Sequence, residues 1–316
     1  DLSLGSYRIW VHDLNGYLND AGIESVVYRT GVDISEFDTV ICAKNDLRAA
    51  NQIKREYPNK KVGIINLSAD KKGQLVDFVI VGSIEEADSL SHYENVFLFP
   101  LIERMYQSPV PKQHQHKKQL TIGYHGSYTH LSKFGPHLKN ALEELSQECD
   151  FKLKIITSNT SFDWKLGKPN VDNVEIIKWN IDNVKADLLD CDIGVVPNIT
   201  FLNYEDLGLE VSTDLGLYNT DYVLRLKNKS NAGRAFVFHQ LGIPVVADIT
   251  PSNLHILGNP DCGFAVCSKE GWKKALLKLQ DAETRQFIAD NAKREFDRLY
   301  NPQKWAKRLY NNIMEI

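Results

Sequence analysis

Short apolar runs alternate with amphipathic stretches along the whole chain. Near the start, apolar residues at helical spacing between Tyr7 and Leu18 predict a helix that stops before Gly22. Short, nearly all-apolar runs separated by helical stretches follow, a pattern typical of parallel strands covered on both faces. The predicted strands of this first half are 23–28, 39–43, 61–65, 77–81 and 96–99, and the predicted helices are 46–57 and 84–93.

A polar segment rich in proline interrupts the alternation at residues 107–119. It has no apolar periodicity, so we interpret it as a solvated interdomain linker whose lysines and histidines need no ligand. The alternation then restarts, with predicted strands at 120–124, 151–157, 174–179, 193–196, 243–247 and 263–266, and helices at 131–149, 231–241, 283–298 and 302–314. Residues 199–222 break the pattern and predict an insertion or mobile loop at the carboxyl edge of the second sheet.

This alternation predicts an α/β protein with two Rossmann-like domains in series, each with a parallel sheet. A chain of 316 residues is long enough for each domain to bury its own core. The predicted domains are residues 1–106 and 120–298. The abrupt start at Asp1 raises the expectation that a strand precedes it.

Composition and charge narrow the class of protein. The net charge of -4 argues against nucleic acid as a partner. The five cysteines form no CxxC pair, which favours neither a disulfide framework nor a zinc site and fits a cytoplasmic location. No apolar run reaches the roughly 20 residues of a membrane-spanning helix. A small basic group, Lys54, Arg55, Lys60 and Lys61, leaves peripheral membrane contact open.

One candidate for anion binding is the glycine turn that follows the predicted strand at 120–124. Gly126 and Ser127 precede a predicted helix, a geometry that presents backbone N–H groups to a phosphate. The dinucleotide-binding pattern GxGxxG is missing, and a plain strand-to-helix corner is the alternative. His125 and His130 flank the turn, and each could pack locally or contact a ligand.

A second candidate is the segment from Lys229 to Arg234. Ser230 or Asn231 can cap the helix that follows, which leaves Lys229 just before its first turn and Arg234 within that turn. Cations at a helix N-terminus oppose the helix dipole, so this arrangement suggests a bound anion that offsets them. The alternative is that both side chains extend into water.

These segments together resemble a known family. The glycine turn, residues 191–197, residues 229–234 and residues 241–247 resemble, in order and spacing, the C-terminal domain of GT4-type glycosyltransferases. The resemblance implies the GT-B architecture, in which two Rossmann-like domains face an interdomain cleft. It implies that Lys229 and Arg234 neutralise the diphosphate of a nucleotide-sugar donor, and that residues 299–316 cross back to the first domain.

The resemblance also implies most of the binding residues. The predicted donor-binding residues are Gly126, Ser127, His130, Ser230, Asn231, Pro251, Ser252 and Asn253, beside Lys229 and Arg234 as catalytic residues. Ser6, Tyr7 and Arg8 resemble the loop that faces the cleft from the acceptor side. The chain departs from the family at Val237, where the family usually has a glutamate that binds the nucleotide ribose.

The predicted activity is sugar transfer from a nucleotide-sugar to a glycan, lipid-linked or protein acceptor. Two cations and backbone amides could stabilise the leaving phosphate, so neither a metal nor a cofactor is expected. The GT4 resemblance favours retention, whereas an inverting reaction would need a base such as His12, Asp70 or Glu103. The alternatives are a nucleotide-sugar epimerase of GT-B shape, a non-catalytic module, which Val237 favours, and, last, an NAD-dependent oxidoreductase.

Overall fold

The structure is a computed structural model that describes residues 2–44, 46–67, 75–134, 137–162, 164, 167–198 and 231–316. Lys229, Ser230, Asp70 and the insertion predicted at 199–222 lie outside the described residues.

The first half is a four-stranded parallel sheet with helices around it. Its strands are β1 (Thr39–Cys42), β2 (Lys61–Ile65), β3 (Phe78–Val81) and β4 (Val96–Leu98), in the order β1-β2-β3-β4. The first helical stretch is continuous and consists of α1 (Gly5–Tyr7), a π-helical turn (Arg8–Asp13) and α2 (Leu14–Asp20). The remaining helices are α3 (Leu47–Glu56) and α4 (Ile84–Ser89). The apolar pattern thus predicted these four strands correctly.

The strand predicted at 23–28 is wrong. These residues form no regular secondary structure and belong to neither sheet. Asn19, in the last turn of α2, binds both backbone groups of Ser25, since its Nδ2 donates to Ser25 O at 2.9 Å and its Oδ1 accepts from Ser25 N at 3.3 Å. Val26 and Tyr28 are 51% and 66% exposed. The β-branched residues of this segment therefore do not form a strand, and the segment is hydrogen-bonded to the end of α2 instead.

The second half is a six-stranded parallel sheet. Its strands are β5 (Leu120–His125), β6 (Phe151–Thr157), β7 (Val174–Lys178), β8 (Ile193–Val196), β9 (Val245–Asp248) and β10 (Phe264–Val266), in the order β10-β9-β8-β5-β6-β7. Its helices are α5 (His137–Leu145), α6 (Val184–Leu189), α7 (Gly233–Leu241), α8 (Pro251–Leu257), α9 (Lys269–Lys278), α10 (Ala282–Leu299) and α11 (Pro302–Met314). The strand order reverses between β5 and β8, and such a switch point opens a crevice at the carboxyl ends of the strands.

The two halves share one apolar core. A continuous cluster of buried side chains includes Trp10 and Tyr17 of the first half and Phe236 and Tyr300 of the second. Helix α11 packs against α2 and β4, and Lys61 Nζ donates to the carbonyl oxygen of Ile313, near the end of α11, at 2.9 Å. The last helix of the chain therefore contacts the first half.

The segment between the halves is less solvated than its polar composition predicts. Lys112 Nζ donates to Cys191 O at 2.6 Å and to Asp192 Oδ1 at 3.1 Å. His114 is buried, and its Nε2 lies 2.9 Å from Gly242 O. The expectation that these two side chains are solvated is wrong, because the buried carboxylate of Asp192 requires a cationic partner such as Lys112 and the Gly242 carbonyl binds His114. Residues 107–119 are thus fastened to the second sheet.

Three buried histidines lead to a prediction about acid stability. Burial lowers the pKa of His114 and of His125 to about 4 and that of His239 to about 3. An unfolded histidine titrates near pH 6.5, so the unfolded chain binds more protons below that pH, and the folded state loses stability as the pH falls towards 4. We expect the free energy of unfolding to fall by about 1 kcal/mol per buried histidine between pH 6.5 and 5.5.

Urea unfolding at a series of pH values measures this loss. His239→Leu should flatten the pH dependence, whereas the same change at the exposed His116 should leave it as in the wild type. If both variants follow the wild-type curve, His239 is not the buried neutral group that the structure describes.

Candidate functional site

The candidate site lies at the switch point of the second sheet, where β5 runs into Gly126. This glycine has a φ of +142°, a conformation that side chains disfavour. A Cβ added there would lie 3.0 Å from Tyr124 Oη and 3.1 Å from Arg234 Cδ. The turn and the arginine can therefore approach each other closely only because residue 126 has no side chain.

Arg234 lies in the first turn of α7 and points to the same crevice. Its Nη1 donates to Tyr124 Oη at 3.4 Å, and its Nη2 donates to Pro197 O at 3.1 Å and to Asn198 Oδ1. These partners, the ones found among the described residues, are all uncharged. None of these partners neutralises the half-buried guanidinium, so its position beside the glycine turn suits an anionic ligand.

Tyr124 joins the arginine to the turn. Its hydroxyl donates to Ser127 O at 3.1 Å while it accepts from Arg234, whose guanidinium carbon lies 5.6 Å from the ring centroid. Burial raises the pKa of Tyr124, and the neighbouring Arg234 opposes that rise. The phenol is therefore neutral at pH 7. Its two hydrogen bonds hold the Arg234 guanidinium near the backbone carbonyl of Ser127.

His125 holds α7 against β5. Its Nε2 lies 3.1 Å from Arg234 O, and its ring meets Phe238 edge to face, with 5.1 Å between the ring centroids. Burial lowers the pKa of His125 to about 4, so the ring adds no charge to the crevice at pH 7. It is a packing residue behind the site.

Asn198, directly after β8, completes the crevice. Its backbone N–H donates to Asp248 Oδ2 at 2.6 Å, while its side-chain oxygen accepts from Arg234. Asp248 Oδ1 in turn accepts from Trp272 Nε1 at 3.3 Å. Sequence reasoning missed Asn198 and Tyr124. A polar residue right after an all-apolar strand was the available signal for Asn198, whereas Tyr124 looked like any core aromatic residue.

Several other predicted residues lie beside this crevice in local turns. Ser127 Oγ is 2.9 Å from Thr129 Oγ1, and His130 donates its backbone N–H to Ser127 O at 3.0 Å. Asn231 Oδ1 accepts from Gly233 N at 3.2 Å, at the start of α7. Ser127, His130 and Asn231 therefore form local turns next to Gly126 or Arg234.

The residues at the start of α8 have protein partners. Thr250 Oγ1 accepts from Asn253 N at 3.3 Å, and Pro251 occupies the first turn, where no N–H is needed. Ser252 N donates to Glu85 Oε1 at 3.2 Å, and Ser252 Oγ also donates to this carboxylate. Glu85 belongs to α4, so this contact joins the two halves. Sequence reasoning missed Glu85, which has no distinguishing pattern.

The three residues predicted on the acceptor side lie in different environments. Ser6 is exposed and Tyr7 half-buried, whereas Arg8 is only 7% exposed. Arg8 Nη2 donates to Glu103 Oε2 at 2.7 Å, and its guanidinium carbon lies 5.1 Å from the ring centroid of Trp179, just after β7. Arg8 thus forms a buried ion pair within the first half and contacts the second half through Trp179.

Two of the candidate bases of an inverting reaction, Glu103 and His12, each have a charged neighbour. Burial raises the pKa of Glu103, and Arg8 opposes the rise, so this carboxyl belongs to the buried pair. His12 Nδ1 lies 2.9 Å from Asp13 Oδ1. Val237, at the position of the family's glutamate, is fully buried in the shared core.

The part of the chain that the structure describes lacks two features, a metal-binding cluster and a membrane-spanning helix. It contains no group of three or more His, Cys, Asp or Glu side chains placed to hold a metal ion. None of its helices combines the length and the apolar character needed to cross a membrane.

Solved structures share this architecture, although the sequence matches no protein-family model and no curated protein matches it significantly. TarM of S. aureus is 14% identical over 81% of this chain, with a TM-score of 0.58, and this chain spans about half (51%) of the TarM chain. HepE of Anabaena, crystallised with UDP and glucose, is 12% identical over 89% of this chain and 78% of its own, with a TM-score of 0.60.

A glycosyltransferase from Rickettsia africae is 10% identical over 95% of this chain and 86% of its own, with a TM-score of 0.60. These neighbours are glycosyltransferases of the GT-B type. At such identities the likeness shows the fold, and it confirms the predicted GT-B architecture of two Rossmann-like parallel sheets.

Proposed function

We propose that the chain transfers a sugar from a nucleotide-sugar donor whose diphosphate is held between the Gly126 turn and Arg234. The observation that carries this proposal is the Arg234 guanidinium, whose partners among the described residues are all uncharged, beside a backbone turn open to close approach. Both lie at the switch point of a GT-B fold, where α/β sheets bind ligands. Because HepE is crystallised with UDP and with UDP-glucose, UDP-sugars are the first donors to test.

In the proposed reaction, the bond between the anomeric carbon and the diphosphate oxygen breaks, and negative charge builds on that leaving oxygen. A guanidinium and backbone N–H groups already aimed at the charge stabilise it without reorganising. Lys229 supplies a second cation in this proposal, and Ser127, His130, Ser230 and Asn231 line the donor. Charge stabilisation by the protein alone is the reason to propose a metal-independent reaction.

We extend the proposal to a retaining, GT4-type reaction. Glu103 is committed to Arg8, so it does not stand ready as a general base, whereas His12, oriented by Asp13, stays the candidate base of the inverting alternative. In a retaining reaction the departing phosphate itself can take the proton of the acceptor hydroxyl. The proposed acceptor is a glycan, a lipid-linked glycan or a protein, reached in the cytoplasm or at the membrane surface.

Calorimetry with UDP, GDP, ADP and the corresponding monophosphates tests the proposal, followed by transfer assays with the nucleotide-sugars that bind. We expect at least one nucleoside diphosphate to bind and its sugar to be transferred. If none binds, the proposal fails and a non-catalytic module remains, a reading that the buried Val237 favours. If the donor sugar is isomerised and released without an acceptor, the protein is an epimerase.

Gly126→Val is expected to weaken nucleoside diphosphate binding about tenfold or more, because its side chain would fill the space between Tyr124 and Arg234. Gly31→Val is the matched control. Gly31 also has a positive φ, of +98°, but a Cβ there would meet nothing within 4 Å. Calorimetry on both folded variants measures the difference. Wild-type affinity in Gly126→Val would show that the turn is only a corner of the fold.

A further inference from the structure

We propose that Tyr128 and Phe162 form a stacking platform for the nucleobase of the donor; this inference rests on the proposed function. Tyr128 opens a 3-10 turn (Tyr128–Phe134) two residues after Gly126, and Phe162 lies in the loop after β6. Their rings are stacked, with centroids 5.9 Å apart and planes inclined by 28°. Tyr128 is 37% exposed, so part of its ring faces solvent at the carboxyl edge of the sheet.

Buried aromatic rings support the platform from below. Phe162 contacts Trp164 at 5.5 Å between ring centroids, and Trp164 meets Phe134 edge to face at 5.8 Å. Phe134 in turn meets Tyr124 edge to face at 5.3 Å. Tyr124 accepts the hydrogen bond from Arg234. A continuous row of packed rings therefore connects the exposed Tyr128 to the proposed diphosphate site and fixes the distance between them.

The platform and Arg234 lie on opposite sides of β5. In the sheet order, β5 stands between β8 and β6. Arg234 contacts the residues that follow β8, whereas Phe162 follows β6. Two strand spacings, about 10 Å, separate β8 from β6, which matches the scale of an extended nucleoside diphosphate. A diphosphate on the Gly126 turn can thus place its base over Tyr128.

The chemistry of the platform predicts how it acts. An aromatic ring stacks with any base, since every base has a π-face. This contact therefore contributes affinity but little specificity among bases. Tyr128 should therefore strengthen binding of UDP, GDP and ADP alike. Tyr128 should contribute nothing to the binding of inorganic pyrophosphate, which has no base.

Calorimetry with UDP and with inorganic pyrophosphate tests the inference on the full chain. Tyr128→Ala is expected to raise the Kd for UDP about tenfold and to leave that for pyrophosphate unchanged. Tyr128→Phe keeps the ring and should bind both ligands as the wild type does. Tyr310→Ala is the matched control, because Tyr310 is 39% exposed on α11, far along the chain from the platform.

Each contrary result has a distinct meaning. Unchanged UDP affinity in Tyr128→Ala overturns the inference, and so does an equal loss for UDP and pyrophosphate, which would show damage to the glycine turn. A raised KM for the acceptor with normal UDP binding would assign the rings to the acceptor sugar and equally overturn it. If the wild type binds neither nucleoside diphosphates nor pyrophosphate, the proposed function itself fails.

Discussion

Arg234→Ala is expected to weaken binding of UDP at least tenfold, which corresponds to about 1.4 kcal/mol or more. The reason is electrostatic, since this guanidinium has uncharged partners and its charge is available to the diphosphate. The same loss should appear in kcat/KM for the donor, because the leaving phosphate gains charge in the transition state. Calorimetry and donor kinetics measure the two effects.

Two further variants separate this effect from damage to the fold. Arg234→Lys keeps the charge but loses the planar fork, so it should retain part of the affinity. Arg308→Ala is the control, because Arg308 is an exposed arginine whose guanidinium carbon lies 5.1 Å from the ring centroid of Trp305. The control should bind UDP normally. Wild-type donor kinetics in a folded Arg234→Ala would reject the assignment of this residue.

Arg8→Ala is expected to lower the free energy of unfolding by about 3–5 kcal/mol, because it leaves a buried carboxylate without its partner. Arg8 and Glu103 are 7% and 9% exposed, and two hydrogen bonds of 2.7 and 2.9 Å join them. Urea unfolding measures the loss. Arg298→Ala, which breaks the exposed pair with Glu295, should leave the free energy of unfolding close to that of the wild type.

The pH dependence of this loss provides a second test. Burial raises the pKa of Glu103 and Arg8 lowers it, so removing Arg8 lets the pKa rise further. A carboxyl with a raised folded-state pKa favours the folded protein less as the pH rises through that pKa. The deficit of Arg8→Ala should therefore be smaller at pH 5 than at pH 7. If Arg8→Ala has wild-type stability but a raised KM for the acceptor, Arg8 instead binds the acceptor.

The types of most elements could be predicted from the sequence, because they depend on local periodicity. Helix α10 was predicted at 283–298 and spans Ala282–Leu299, and α11 was predicted with its observed bounds. Helices α6, α8 and α9 were missed, although Thr250 and Ser268 cap the last two. Helices α6 and α8 are short, and α9 contains Gly271 in its first turn, which weakens a periodic signal.

The candidate site could be predicted only in part. Gly126 and Arg234 stood out because a glycine after an apolar strand and a cation at a helix start are local patterns. Their partners did not. Tyr124 and Asn198 are 110 and 36 residues away from Arg234 in the chain, and Glu85 reaches Ser252 across 167 residues.

The sequence by itself determined that this protein alternates strands and helices, that its sheets are parallel, and where a glycine turn precedes a helix. These properties follow from the spacing of apolar residues and from the backbone preferences of glycine, which act over a few residues. Tertiary structure alone decided which partners the arginines of the described residues meet. Arg8 and Arg234 both lie in the first turns of helices, yet Arg8 meets Glu103, 95 residues away, whereas Arg234 meets uncharged oxygen atoms. Desolvation and pairing depend on neighbours in space, and no local pattern contains them.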